Sequence, residues 1–242
     1  MSNAPFSQLV ISAELAMRNS DFSSAARDFA AALNSKADDA HLIQQYALAT
    51  YKSRQPTPIE ALNKAREIIH QLHPENSNDC ETLGIAGAIH KQLWLTNRNA
   101  DDLNQAVEYY GRGFNDCKNY HCGENYALCL NLQASTEIEI VKQHSLNEHA
   151  KKVREEIIRI LDKITQSPDF ADNPDKKWML ATMAHTLFAL DRTEEGHFYE
   201  AILFQEKEEV LSQWQRDTYE FEKLQLLKLL NSKSSTSYRH LQ

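Results

Sequence analysis

Cys117, His121 and Cys122, with Cys129 further on, bring metal-ligating residue types closer together than any other stretch of this 242-residue chain. A zinc site closes on four thiolate or imidazole ligands, usually in two pairs whose members stand two to four residues apart. Here the gaps between cysteines are four and six residues, and no second His stands at ligand distance. The pattern predicts two loop thiols and, at Cys129, a small hydrophobe in a helix core. His70 and His73 stand three apart just before Pro74, so they belong at a helix end, where an imidazole near the last carbonyls is favourable by itself. His144 and His149 are five apart and face different ways. There is no His-Glu-x-x-His, no Gly-x-Ser-x-Gly elbow and no Gly-rich phosphate loop. The expectation is no catalytic residue, no metal and no cofactor.

The elements that would carry these side chains are helices. Six Gly and six Pro among 242 residues are too few for the turns of a β-sandwich or a doubly wound α/β fold. At 42% hydrophobic and 25% charged, with a formal charge of −8, the composition is globular and its sign is wrong for a phosphate-backbone binder. Nucleic acid is therefore not expected as a partner. Residues 194–222 concentrate the excess, with nine acids against Lys207 and Arg216. Such a patch would favour a basic partner and speed its approach, although a solvated helix face is the commoner use. No apolar run approaches the length of a membrane span, and four cysteines without a secretory segment make no disulfide framework. No membrane contact and a cytoplasmic location are expected.

Helical periodicity recurs in pairs. Leu9, Ala13 and Ala16, a polar break at Asn19-Ser20-Asp21, then Phe22, Ala25, Phe29 and Ala32 describe a hairpin with small residues at the crossing. Ala, aromatic, Ala at spacings of four and three is tetratricopeptide grammar. A second copy holds Tyr46, Ala47 and Thr50, then the capping box Thr57-Pro58-Ile59-Glu60 followed by Ala61, Ala65 and Ile68. A third follows Asp79, with Leu83-Gly84 and then Leu103, Ala106, Tyr110 and Phe114. A fourth runs from Gly123, Tyr126 and Ala127 to a helix starting at a second capping box, Ser145 to Glu148, the polar stretch 134–144 between them being either loop or helix extension. In the fifth, Trp178, Ala181 and His185 precede Gly196, Tyr199 and Leu203. The reading is an all-α, tetratricopeptide-like helical-hairpin solenoid: a single domain over 1–230 with hairpins at 5–37, 40–73, 79–116, 120–166 and 174–207, a capping helix over 209–230, and a flexible tail at 231–242.

Several of these segments also resemble a known family. Glu81-Thr82-Leu83-Gly84, Lys91-Gln92-Leu93-Trp94, Leu103 to Tyr110, Arg112-Gly113-Phe114 and Tyr120 to Ala127 look like the TRAF-binding region of apoptosis-signal-regulating kinases and its bacterial relatives. Trp178 to His185 followed by Leu190-Asp191 is similar to that family's closing repeat, so the likeness spans about 75–205. It implies a helical-repeat regulatory module that binds other proteins, attached in bacteria to signalling or conflict effectors. The chain departs from the family pattern at Glu124, where an aliphatic residue is expected, and it contains no kinase motif.

In such a solenoid the first helix of each hairpin lines the concave face, and side chains not needed for packing point into a groove that takes a helix or an extended peptide. Those positions are Glu14, Met17, Arg18, His41, Gln44, Gln45, Tyr51, Lys52, Glu81, His121, Glu124, Asn125, Asn131, Met179 and Met183. The function expected is a non-catalytic adaptor or regulatory module that binds a protein or peptide there, in a signalling or defence pathway, with an effector encoded nearby as one partner. The alternative is a small-molecule or peptide sensor using the same groove, and behind both stands a cryptic metal-dependent enzyme. The apolar helix from Trp214 to Leu230 serves as either a lid or a homodimer face.

Overall fold

Short polar side chains begin the helices of this chain. In the structure, a computed structural model describing residues 5–205, 211 and 213–237, Asp21, Asp39, Thr57, Asp79 and Asn119 each stand at an N-cap. Each accepts a hydrogen bond from the main-chain N–H three residues on, which satisfies one of the donors a helix start leaves open. Several connections turn on residues in the left-handed region, among them Arg54, Arg98, Lys118 and Asp191. Among the described residues every element is helical, and the fold class is all-α, made of antiparallel helical hairpins.

The helices group into two compact units, Met1–Cys117 and Lys118–Gln242. In the first, α1 (Phe6–Arg18), α2 (Phe22–Leu33), α3 (Ala40–Ser53), α4 (Pro58–Ile69), α5 (Cys80–Asn97) and α6 (Ala100–Cys117) pair successively, a single 3₁₀ turn at His70–Leu72 closing α4. Ala13, Ala25, Phe29 and Ala32 form one core cluster with Leu42 and Ala49. Ala47, Ala65, Ile68, Leu83, Ala86, Ile89 and Tyr109 belong to the next. The small residues let the helices approach, as at Gly87, where an added Cβ would lie 2.9 Å from the buried ring of Tyr110.

Cys80 and Cys117 are joined in a disulfide, with Cα atoms 6.2 Å apart. This corrects the expectation that Cys117 is a free loop thiol and that no disulfide forms; Cys122, the other expected loop thiol, is free but buried in the helix Tyr120–Thr136. Because α5 and α6 are antiparallel, the start of one lies beside the end of the other, and spacing along the chain does not reveal that neighbour. Arg112 reinforces the same end of the unit. Its guanidinium donates to the carbonyls of Pro74, at 3.0 Å, of Glu75, at 2.9 Å, and of Ser77.

The second unit contains α7 (Tyr120–Thr136), α8 (Ile140–Thr165), α9 (Lys176–Ala189), α10 (Thr193–Gln205) and α11 (Gln213–Ser237). Its centre is α9, against which α7, α8, α10 and α11 all pack. All ten residues from Met179 to Phe188 are buried, as expected of a helix surrounded on every side. Two local expectations change. The capping box at Ser145 lies inside α8, which begins at Ile140 after an N-cap Glu139 that makes no capping bond. In addition, α11 continues to Ser237, seven residues into the segment read as a tail, while 238–242 lie outside the described residues.

Candidate functional site

Burial divides the fifteen groove positions. Glu14, Arg18, His41, Glu81 and His121 are exposed, and Met17, Gln45, Tyr51 and Lys52 are half-buried. Eight of these nine stand on α1, α3 and α5 of the first unit. The other six lie inward. Met179 and Met183 are core residues of α9. Gln44 is buried and donates to Asp79 Oδ2 at 2.6 Å and Thr82 Oγ1 at 2.9 Å, tying α3 to the start of α5. Asn125 is buried and donates to the His121 carbonyl.

Glu124 and Asn131 belong to a polar network inside the second unit. Arg154, on α8 and buried, donates through Nε to both carboxylate oxygens of Glu124 at 3.2 Å. Its Nη1 reaches Asn131 Oδ1 at 2.7 Å, and Asn131 in turn donates to Asn147 at 2.8 Å. Thr186, from α9, donates to Glu124 Oε2 at 3.1 Å. Three helices are thus joined through one carboxylate. Burial pushes the Glu124 carboxyl above its ordinary range, against the opposing pull of Arg154 and Thr186. Interior charge of this kind is tolerated only when paired and hydrogen-bonded.

Next to it lies a pocket lined by Glu124, Asn125, Leu128, His185, Glu222 and Leu226. His185 is 6% exposed, and its Nε2 has no hydrogen-bond partner. Its ring stacks on Tyr219 at 4.3 Å between centroids. Burial holds the imidazole down at about 4, so it is neutral at pH 7, while the charge of Glu222 and a hydrogen bond with the Tyr219 main chain pull the other way. The Tyr219 hydroxyl donates to Glu200 at 2.9 Å, and Lys223 holds the same carboxylate at 2.5 Å.

The first unit buries a second histidine. His90 Nδ1 lies 2.9 Å from Asp102 Oδ1, and Asn97 and Arg66 approach the same carboxylate at 3.3 and 3.8 Å. Its Nε2 also lacks a partner. The ring sits among the rings of His70 and Tyr109, at 6.2 and 5.7 Å.

Arg154, His90, Asp102 and Glu222 were not legible as site residues. Glu124 was the one signal, being a carboxylate where an aliphatic side chain belongs, but its partner lies thirty residues further on. Among the described residues no group of three or more His, Cys, Asp or Glu is arranged to hold a metal ion, and Cys117 is committed to Cys80. No helix among the described residues is long and apolar enough to cross a membrane.

The succession of helices from α2 to α7 is where a comparison with known families takes hold. Residues 21–130 match the family model described as Tetratricopeptide Repeats-Sensor. This region is tetratricopeptide-like. The chain is also similar to the crystal structure of a thermophilic TPR protein from Thermus thermophilus, with a TM-score of 0.61 and 12% identity over 91% of this chain and 100% of that one. At that identity the likeness is one of fold, and it supports a helical-hairpin solenoid. The MamA protein structure aligns over 85% of this chain and 97% of its own, at 13% identity and a TM-score of 0.47. No curated protein matches the chain.

Proposed function

We propose that this chain is a non-catalytic protein-binding module whose docking face is formed by Glu14, Met17, Arg18, His41, Gln45, Tyr51, Lys52 and Glu81 on α1, α3 and α5. The observation that carries the reading is their accessibility: the packing positions of the same helices are buried, while these side chains remain at the surface. Tetratricopeptide folds present the first helices of their hairpins to protein partners. His121, exposed at the start of α7, stands in the same sequence position on the second unit. The resemblance over 75–205 supports a regulatory role in a signalling or defence pathway, with an effector encoded nearby as the natural partner.

The test is the affinity of the purified chain for products of its neighbouring genes, with Tyr51→Ala combined with Lys52→Glu as the probe. Loss of about tenfold or more in affinity at unchanged melting temperature supports the face. Equal binding by the variant excludes it.

Two finer features have specific support. A basic partner is favoured by the acidic segment 194–222, although Glu195 is paired with Arg192 and Glu200 with Lys223, and Glu206, Glu208 and Glu209 lie outside the described residues. Self-association through α11 is favoured by Phe221, Leu224 and Leu227, which are 42%, 50% and 37% exposed. A second reading, a sensor of small molecules or peptides, is favoured by the pocket beside His185 and by the name of the matching family model. Any such ligand raises the melting temperature on binding.

A further inference from the structure

A bond that small thiols can exchange sits one residue from the docking face of the first unit. Cys80 is the first residue of α5, between the N-cap Asp79 and the exposed Glu81, and it is joined to Cys117, the last residue of α6. Two docking helices meet at the same turn. Gln44 of α3 donates to Asp79 Oδ2 and Thr82 Oγ1, and Asp79 accepts from the Thr82 N–H at 2.8 Å. The disulfide therefore fastens the joint of α3 and α5 to the end of α6.

Its surroundings suit an open form as well as a closed one. Both cysteines are half-buried and keep surface open to solvent, as attack by a thiolate requires, whereas Cys122 and Cys129 are buried thiols outside the exchange. Once reduced, Cys117 has an acceptor waiting, because its Sγ lies 3.7 Å from the Asn78 carbonyl. Arg112 of α6 holds the carbonyls of Pro74, Glu75 and Ser77 without help from sulfur. That clasp keeps the segment entering α5 against α6 after the bond opens, so the two thiols remain neighbours and re-closing need not repeat the entropy cost of a long loop.

We propose that Cys80 and Cys117 form a reversible redox site, opened by a small thiol and closed by the corresponding disulfide, whose closed form orders the first turn of α5 and with it Glu81. A thiolate attacks one sulfur, the S–S bond breaks, and the other cysteine leaves as a thiolate that is protonated by water. A second thiol attacks the mixed disulfide and frees the first cysteine. The protein gains two electrons and two protons, and the two thiols are oxidised to their disulfide; closing is the reverse. Any effect on a partner rests on the docking face proposed above, while exchange and loosening of the turn are read without a partner, so the two can fail separately.

The test places the full, folded chain in mixtures of reduced and oxidised glutathione. Alkylation and mass spectrometry count the open form, and hydrogen exchange follows the amides of Thr82 and Leu83, which bond to Asp79. Excess reduced glutathione is expected to open the bond with the fold retained, oxidised glutathione to close it again, and the two amides to exchange about tenfold faster in the open form. Cys80→Ser is expected to show the same faster exchange with no thiol present. Arg112→Gln, which removes the clasp, is expected to shift the balance toward the open form by about tenfold. A bond that survives excess reduced glutathione or opens only on unfolding, thiols that do not pair again, equal amide exchange in the two forms, or an unchanged balance in Arg112→Gln would overturn the proposal.

Discussion

His90 in the first unit and His185 in the second are a matched pair with one difference. Both rings are buried, and both leave Nε2 without a partner. His90 has a carboxylate behind it, Asp102, which Asn97 and Arg66 also approach. His185 has an aromatic ring behind it and a pocket in front. The first unit thus uses its buried polar groups to hold helices together, and adds a covalent tie between α5 and α6. The second unit also ties its helices through an interior carboxylate, Glu124, and sets a pocket beside it. Identical residues with nearly identical exposure are backed by different groups, a carboxylate for His90 and an aromatic ring for His185.

The largest way to break this contrast is to remove one side of the interior ion pair. Arg154→Ala strands the Glu124 carboxylate and is expected to cost about 3–5 kcal/mol, read as a shift in the denaturation midpoint. Replacing both residues, Glu124→Leu with Arg154→Leu, is expected to recover most of it. If the single variant costs under about 1 kcal/mol, comparable to an exposed pair, the charge is not interior and the contrast between the units fails.

The covalent tie is the first unit's counterpart. Closing residues 37 apart is worth about 4 kcal/mol on chain-entropy grounds, so reduction is expected to destabilise the first unit by about that amount. Hydrogen exchange should localise the loss to α5 and α6 and leave α9 protected. Faster exchange throughout α9 on reduction would mean that the two units are not separate in stability.

Acid separates the units next. The His185 pKa is lowered to about 4 in the folded state from an unfolded value of about 6.5. Between those values the unfolded chain binds more protons, so stability is full above pH 6.5 and declines as pH falls through that window. From pH 7 to 5 the loss assigned to His185 is about 2 kcal/mol. Glu124, pushed upward, contributes with the opposite sign, so the measurement is the difference between the natural chain and His185→Gln. A difference of zero would place His185 in water.

The smallest effect belongs to the carboxylate behind His90. Asp102→Asn keeps the shape and is expected to cost about 1 kcal/mol, with the His90 ring nitrogen resonances reporting a changed proton position. An unchanged spectrum would show that Asp102 does not set the tautomer.

Much of the fold is written in local pattern. The caps at Asp21, Thr57 and Asp79, the small residues Ala13, Ala25 and Ala65, and the aromatic Phe29 each act within one or two helical turns, which is the range over which periodicity and capping speak. The site is written elsewhere. Glu124 meets Arg154 across thirty residues and Thr186 across sixty-two, and Cys80 meets Cys117 across thirty-seven. Such pairs follow from which helices become neighbours. Ser145 to Glu148 teaches the converse: a capping box carries weight only where a helix start needs it, and Glu137 had already begun the turn by bonding the N–H groups of Ile138 and Glu139.

The claim on which the functional account rests is that the surface side chains of α1, α3 and α5 meet a protein. Photo-crosslinking in the source cells addresses it most directly, with a photoreactive residue placed at Gln45 or Glu81 and, as a comparison, at exposed Ile138 of the second unit. The account predicts one discrete protein adduct from Gln45 and Glu81 that disappears when Tyr51→Ala and Lys52→Glu are added. Adducts from Ile138 alone, or the same adduct with and without those substitutions, would contradict it.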